Sequence, residues 1–151
     1  MPHSPDHLGR PHLLFVDDEP HVLAGLRRML HHHADRWLMS FASNASDAVE
    51  ILSARPCHVI ISDYHMPGTG GATLLQYVSV AHPHTARVIL SAETNTDDVL
   101  IAMSVAQRFL AKPCTEQEIL DAVEALLGTP PAPPDPSTWH SPALATSAVL
   151  A

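Results

Sequence analysis

Five short strand-like runs, each followed by a stretch whose apolar residues recur at helical spacing, constrain this 151-residue chain more than any other feature. His12–Val16 (HLLFV) is nearly continuous in its apolar character and ends in Asp17-Asp18-Glu19. Pro20 follows, a residue tolerated in a first helical turn, and then Val22, Leu23, Leu26, Met29 and Leu30 recur at helical spacing. Residues 37–42 (WLMSFA) read as a second strand, and Ala48, Val49 and Leu52 mark a second helix that ends before Pro56. Residues 58–62 (HVIIS) form a β-branched run, followed after Gly70-Gly71 by a third helix at Leu74, Leu75 and Val78. Residues 87–91 (RVILS) are the fourth strand, with a fourth helix at Val99, Leu100 and Met103. Residues 108–111 (RFLA) are the fifth strand. Thr115 and Glu118 form a capping-box pattern before Ile119, Val123, Leu126 and Leu127, and Gly128 closes that helix. Strands that run apolar without alternating are buried on both faces. The pattern therefore predicts an α/β fold, (βα) repeated five times, with a parallel sheet covered by helices on both sides.

The flanks differ from this core. Residues 1–11 read as a flexible leader. Residues 129–151 open with five prolines in eight residues and read as a disordered tail or linker, leaving 12–128 as the folded unit. Formal net charge is −8 with only eight basic residues, scattered along the chain, which argues against a nucleic-acid surface. No run of about 18 apolar residues is present, so no membrane span is expected. No signal-peptide pattern is present either, which favours a cytoplasmic protein. Cys57 and Cys114 then read as free thiols.

In sheets of this kind the chemistry sits at the carboxyl ends of the strands. Those ends carry Asp17 and Asp18, Asp63, Ser91, and Lys112, the one lysine in the chain. Each alone has a structural explanation: an acidic first helical turn, a turn residue, a helix cap, a solvated charge. Together at one sheet edge they point elsewhere. Clustered carboxylates suit a hard cation such as Mg²⁺, an ammonium opposite them suits phosphoryl charge, and a carboxylate in that setting can be a nucleophile. His31-His32-His33 invites a metal reading, but three consecutive histidines on a helix fan too widely for all three to ligate one ion.

The segments LLFVDDEP (13–20), VIISDYHMPGTGG (59–71), VILSAE (88–93) and RFLAKP (108–113) resemble the response-regulator receiver domains of bacterial two-component systems. That resemblance implies a flavodoxin-like strand order, 2-1-3-4-5. It implies that Asp63 accepts a phosphoryl group and that Lys112 binds its oxygens. Ser91 would be the hydroxyl that turns toward the phosphoryl group, and Phe109 the aromatic switch. Mg²⁺ would be held by Asp18, Asp63 and the backbone carbonyl of His65, with Asp17 acting through water. A cis bond before Pro113 is implied too. The implied partners are a sensor histidine kinase or phosphotransfer protein and a downstream protein target. A second copy of the chain, docked through the helix 4–strand 5–helix 5 face, is another. The implied role is a switch rather than an enzyme, catalysing only its own phosphorylation and dephosphorylation; the tail or linker after the folded unit is expected to carry no output domain. The chain departs from the family pattern at Cys114, where relatives often have Trp, and at SVAQ (104–107), which lacks glycine. The resemblance implies that His65 and Glu93 occupy positions that tune phosphoryl lifetime in the family. Two rival functions share parts of the signature. One is a phosphorylation-independent interaction module with this fold. The other is a haloacid-dehalogenase-type phosphatase, which would need Asp-x-Asp after its first strand where this chain has an adjacent pair.

Overall fold

The computed structural model describes residues 10–92 and 96–128. The proposed leader up to residue 9, Glu93, and the tail with Trp139 lie outside the described residues. Five strands and five α-helices alternate along the described residues: β1 (His12–Val16), α1 (Pro20–Leu30), β2 (Leu38–Ala42), α2 (Ala45–Ala54), β3 (Val59–Asp63), α3 (Gly71–Ala81), β4 (Ala86–Ser91), α4 (Thr96–Val105), β5 (Arg108–Ala111) and α5 (Glu116–Gly128). All strand pairings are parallel, and the sheet order is β2-β1-β3-β4-β5. The parallel sheet is the one predicted from the apolar runs, and its strand order is the one the family resemblance implies.

Successive residues of a strand face opposite sides of the sheet, and the core divides accordingly. Leu14, Val16, Ile60 and Ile89 pack with Leu52, Leu74, Val78 and Ala102, on the side covered by α2, α3 and α4. Leu13, Phe15, Ile61, Val88 and Leu90 pack with Leu26, Leu30, Ile119 and Val123, on the side of α1 and α5. Each fully buried Leu, Ile or Phe contributes about 1.5–3 kcal/mol, so both layers are needed to hold the sheet.

Helix boundaries follow from local chemistry. Pro20 occupies the first turn of α1. The Asn44 side chain accepts from the Asp47 amide at 2.8 Å and caps α2. The Thr115–Glu118 capping box is present in both directions: Thr115 N donates to Glu118 Oε1 at 2.8 Å, and Glu118 N to Thr115 Oγ1 at 3.1 Å.

Three strand boundaries shift from the sequence expectation. Trp37 stays out of β2 because its amide closes a turn on His33 O at 3.0 Å, while its ring is buried beside α1 and α5. β3 starts at Val59 and includes Asp63, which pairs with Leu90. β4 starts one residue early, at Ala86. The glycine-free approach to β5 is held by Arg87. Its amide donates to Gln107 Oε1 at 2.6 Å, and its buried guanidinium donates to Val105 O at 2.8 Å and Thr85 O at 3.0 Å. Both cysteines are free.

Candidate functional site

Parallel pairing brings the sequence-predicted residues to one edge. Val16 pairs with Ser62, which sets Asp17, the next residue on, beside Asp63. Asp63 in turn pairs with Leu90, and Ser91 with Ala111. The amide of Lys112 donates to Ser91 O at 2.9 Å and carries the β4–β5 pairing one step past Ala111. Backbone hydrogen bonding alone thus collects Asp17, Asp63, Ser91 and Lys112.

The side chains complete the arrangement. Carboxylate oxygens of Asp17, Asp18 and Asp63 lie within 4.8 Å of one another. Asp17 and Asp63 are buried, at 0% and 6% exposure, and Asp18 is half-buried. Lys112 Nζ reaches Asp17 Oδ2 at 2.8 Å and Asp63 Oδ1 at 3.0 Å, so one ammonium bridges the two buried carboxylates. The Glu19 amide donates to Asp17 Oδ1 at 2.9 Å and orients that group from the loop before α1. Burial pushes the Asp63 carboxyl above its ordinary range. Lys112 opposes this, while Asp17 and Asp18 add to it. Burial would lower the Lys112 ammonium, but its bonds to Asp17 and Asp63 outweigh that and raise it. Two partly neutralised, buried carboxylates beside a third make an oxygen-only donor set, the kind that suits Mg²⁺.

Ser91 is buried at the end of β4. Ile89 pairs with Phe109, so Ser91 and Phe109 point to the same side of the sheet, toward α4. Phe109 is partly buried against that core. His65, two residues after Asp63, is exposed, its ring edge-on to Tyr64 with centroids 4.6 Å apart. The Lys112–Pro113 peptide is cis.

One residue that shapes the site escaped the sequence reading. A Cβ on Gly71 would run into the Asp63 carbonyl oxygen, and would lie 2.9 Å from its carbon and 3.0 Å from Tyr64 Cα. The Gly71 amide also donates to Tyr64 O at 2.9 Å. The start of α3 is therefore packed directly on the backbone that carries Asp63. The adjacent pair Gly70-Gly71 is the available signal, but in the sequence it marks only the start of a helix.

Comparison with known proteins gives one concordant result. The family model described as "Response regulator receiver domain" matches residues 13–124. Among curated proteins, the Response regulator protein PilR of Pseudomonas aeruginosa is 30% identical over 109 residues, covering 70% of this chain and 24% of that protein. Response regulator UvrY of Escherichia coli strain K12 is 27% identical over 115 residues, covering 76% of this chain and 53% of UvrY. The chain thus spans about half or less of the length of these relatives. Among solved structures, the signal receiver domain of an HD domain-containing protein from Pseudomonas fluorescens Pf-5 is 30% identical with TM-score 0.74, covering 79% of this chain and 95% of that one. A response regulator receiver domain protein from Clostridium thermocellum is 26% identical with TM-score 0.71, covering 78% and 94% respectively.

Proposed function

The chain belongs to the response regulator receiver domain family, and on that premise we propose that it is a phosphorylation-dependent signalling switch whose acceptor is Asp63. The observation that carries this reading is the Lys112 ammonium bridging buried Asp17 and Asp63 at the carboxyl edge of the sheet. A structural ion pair would need only one carboxylate. Three beside one ammonium leave surplus negative charge in a buried place, which is costly unless a ligand uses it.

In the proposed reaction a histidine kinase or phosphotransfer protein presents a phosphohistidine. An Asp63 oxygen attacks phosphorus and the O–P bond forms as the P–N bond breaks. The bonding pair leaves on the imidazole nitrogen, which takes a proton from solvent. Lys112 is placed to transfer its hydrogen bond from Asp63 to a phosphoryl oxygen. Asp18, Asp63 and the His65 carbonyl would hold Mg²⁺ directly, with Asp17 through water, and the ion would neutralise phosphoryl charge. Hydrolysis by water returns the carboxylate and inorganic phosphate, so the protein turns over only its own modification. Ser91 then donates to a phosphoryl oxygen, and Phe109, on the same side of the sheet, moves inward as it does so. That movement reshapes the α4–β5–α5 face for a downstream protein or a second copy of the chain. Among the described residues no helix is long and apolar enough to cross a membrane, and we place the switch in the cytoplasm.

The test is Mg²⁺ dependence. Labelling by acetyl phosphate should require Mg²⁺ in the wild type and should be lost in Asp18→Ala, with the fold retained. An Asp18→Ala protein that labels at the wild-type rate contradicts the metal assignment. Steady turnover of p-nitrophenyl phosphate would favour the phosphatase reading instead.

A further inference from the structure

A second ligand cluster lies where the end of α1 meets the start of α5. His31–His33 form a single turn of 3-10 helix after α1, and the rings of His32 and His33 sit with centroids 4.1 Å apart. Both Nε2 atoms converge on one oxygen, Glu116 Oε2, at 2.8 Å from His32 and 2.9 Å from His33. One ligand atom from each of the three residues falls within 4.8 Å of the others. A tetrahedral ion with bonds of about 2.0–2.2 Å holds its ligand atoms about 3.3 Å apart, so the two His–Glu116 distances need widen by only about half an ångström to admit one. His33 is buried with its ring stacked on Trp37 at 5.3 Å, which fixes one ligand in place. His32 is 63% exposed along its side chain and Glu116 35%, which leaves an ion a way in.

We propose that His32, His33 and Glu116 form a site for a zinc-class divalent transition-metal ion that ties the end of α1 to the start of α5. Two imidazoles and one carboxylate are borderline donors. They suit Zn²⁺ or Co²⁺, whereas Mg²⁺ favours the oxygen-only pocket at the other site. Water completes the coordination on the open side. Metal binding displaces the Nε2 protons that now point at Glu116 and leaves each ring protonated at Nδ1. At His33 that position faces Arg36 Nη1 at 3.4 Å. This long contact must give way, and it can: Arg36 is held independently by Glu124 at 2.7 Å and by stacking 4.8 Å over Trp37. His31 takes no part, in keeping with the limit that three consecutive histidines cannot all reach one ion. Glu116 follows Lys112 by four residues, so an ion here also restrains the segment leading out of the carboxylate pocket.

The experiment is a Zn²⁺ titration of the full chain under saturating Mg²⁺, read by the ring-nitrogen NMR signals of the histidines and by thermal melting. One equivalent should shift His32 and His33 together before the other histidines, and should raise the melting temperature. His32→Ala removes an exposed side chain. It should melt like the wild type without metal, bind Zn²⁺ about tenfold or more weakly, and lose the thermal shift; Glu116→Gln should weaken binding likewise. If the first equivalent moves other imidazoles, or if both variants bind as tightly as the wild type, the cluster is a hydrogen-bonded His–Glu pair and the proposal is wrong.

Discussion

Gly71→Ala is the substitution whose cost can be worked most directly from the structure. The added methyl would meet the carbonyl carbon and oxygen of Asp63 and the Cα of Tyr64, all main-chain atoms. None of these is the end of a flexible side chain, so α3 has to move off β3. Overpacking of this kind costs about 1–3 kcal/mol, and stretching the Gly71 N to Tyr64 O bond adds about 1 kcal/mol. The total, about 2–4 kcal/mol, corresponds to a fall in melting temperature of about 6–20 °C for a domain of this size. The matched control is Gly25→Ala in the interior of α1, where no atom lies within 4 Å of the new Cβ. There the same chemical change should stabilise by about 0.5–1 kcal/mol, through helix propensity alone. Thermal melting by circular dichroism reads both, and acetyl phosphate labelling should slow in Gly71→Ala because the backbone under Asp63 has shifted. Equal melting temperatures for the two variants, or wild-type behaviour of Gly71→Ala, would refute the packing argument.

Other expectations rest on single groups. Because burial and neighbouring carboxylates raise the folded-state pKa of Asp63 above its ordinary 3.8, ionising it costs stability as pH rises past that value. Asp63→Asn should therefore melt above the wild type at pH 7, with the gain fading as pH falls toward 4; an advantage that grows on acidification has the wrong sign. Ser91→Ala should still accept the phosphoryl group but show smaller amide shifts around Phe109 with beryllofluoride; wild-type-sized shifts would mean the coupling takes another route. The Cys57 thiol is buried and pushed up to about 12, so it should react with a thiol reagent at pH 8 only on unfolding; rapid native labelling would show that its cover opens readily.

Much of the fold was legible because its three central strands, β1, β3 and β4, are buried on both faces, so runs such as VII at 59–61 carry the signal without tertiary information. The pocket was legible for a related reason. A parallel sheet puts every strand end on one edge, so Asp17, Asp63, Ser91 and Lys112 could be grouped from order alone. Contacts made by backbone shape or by distant side chains were not legible. That Gly71 must lack a Cβ depends on how α3 seats on Asp63. The buried guanidinium of Arg87 bonds carbonyls at Thr85 and Val105, and nothing in the run RVILS distinguishes it from an exposed strand residue. His33 and Glu116 are 83 positions apart and meet only because α1 and α5 share one side of the sheet.

The central claim, that Asp63 is the phosphoryl acceptor, is tested most directly by intact-mass measurement after incubation with Mg²⁺ and acetyl phosphate. The account predicts one added phosphoryl group on the wild type and none on Asp63→Asn. Full labelling of Asp63→Asn would contradict it.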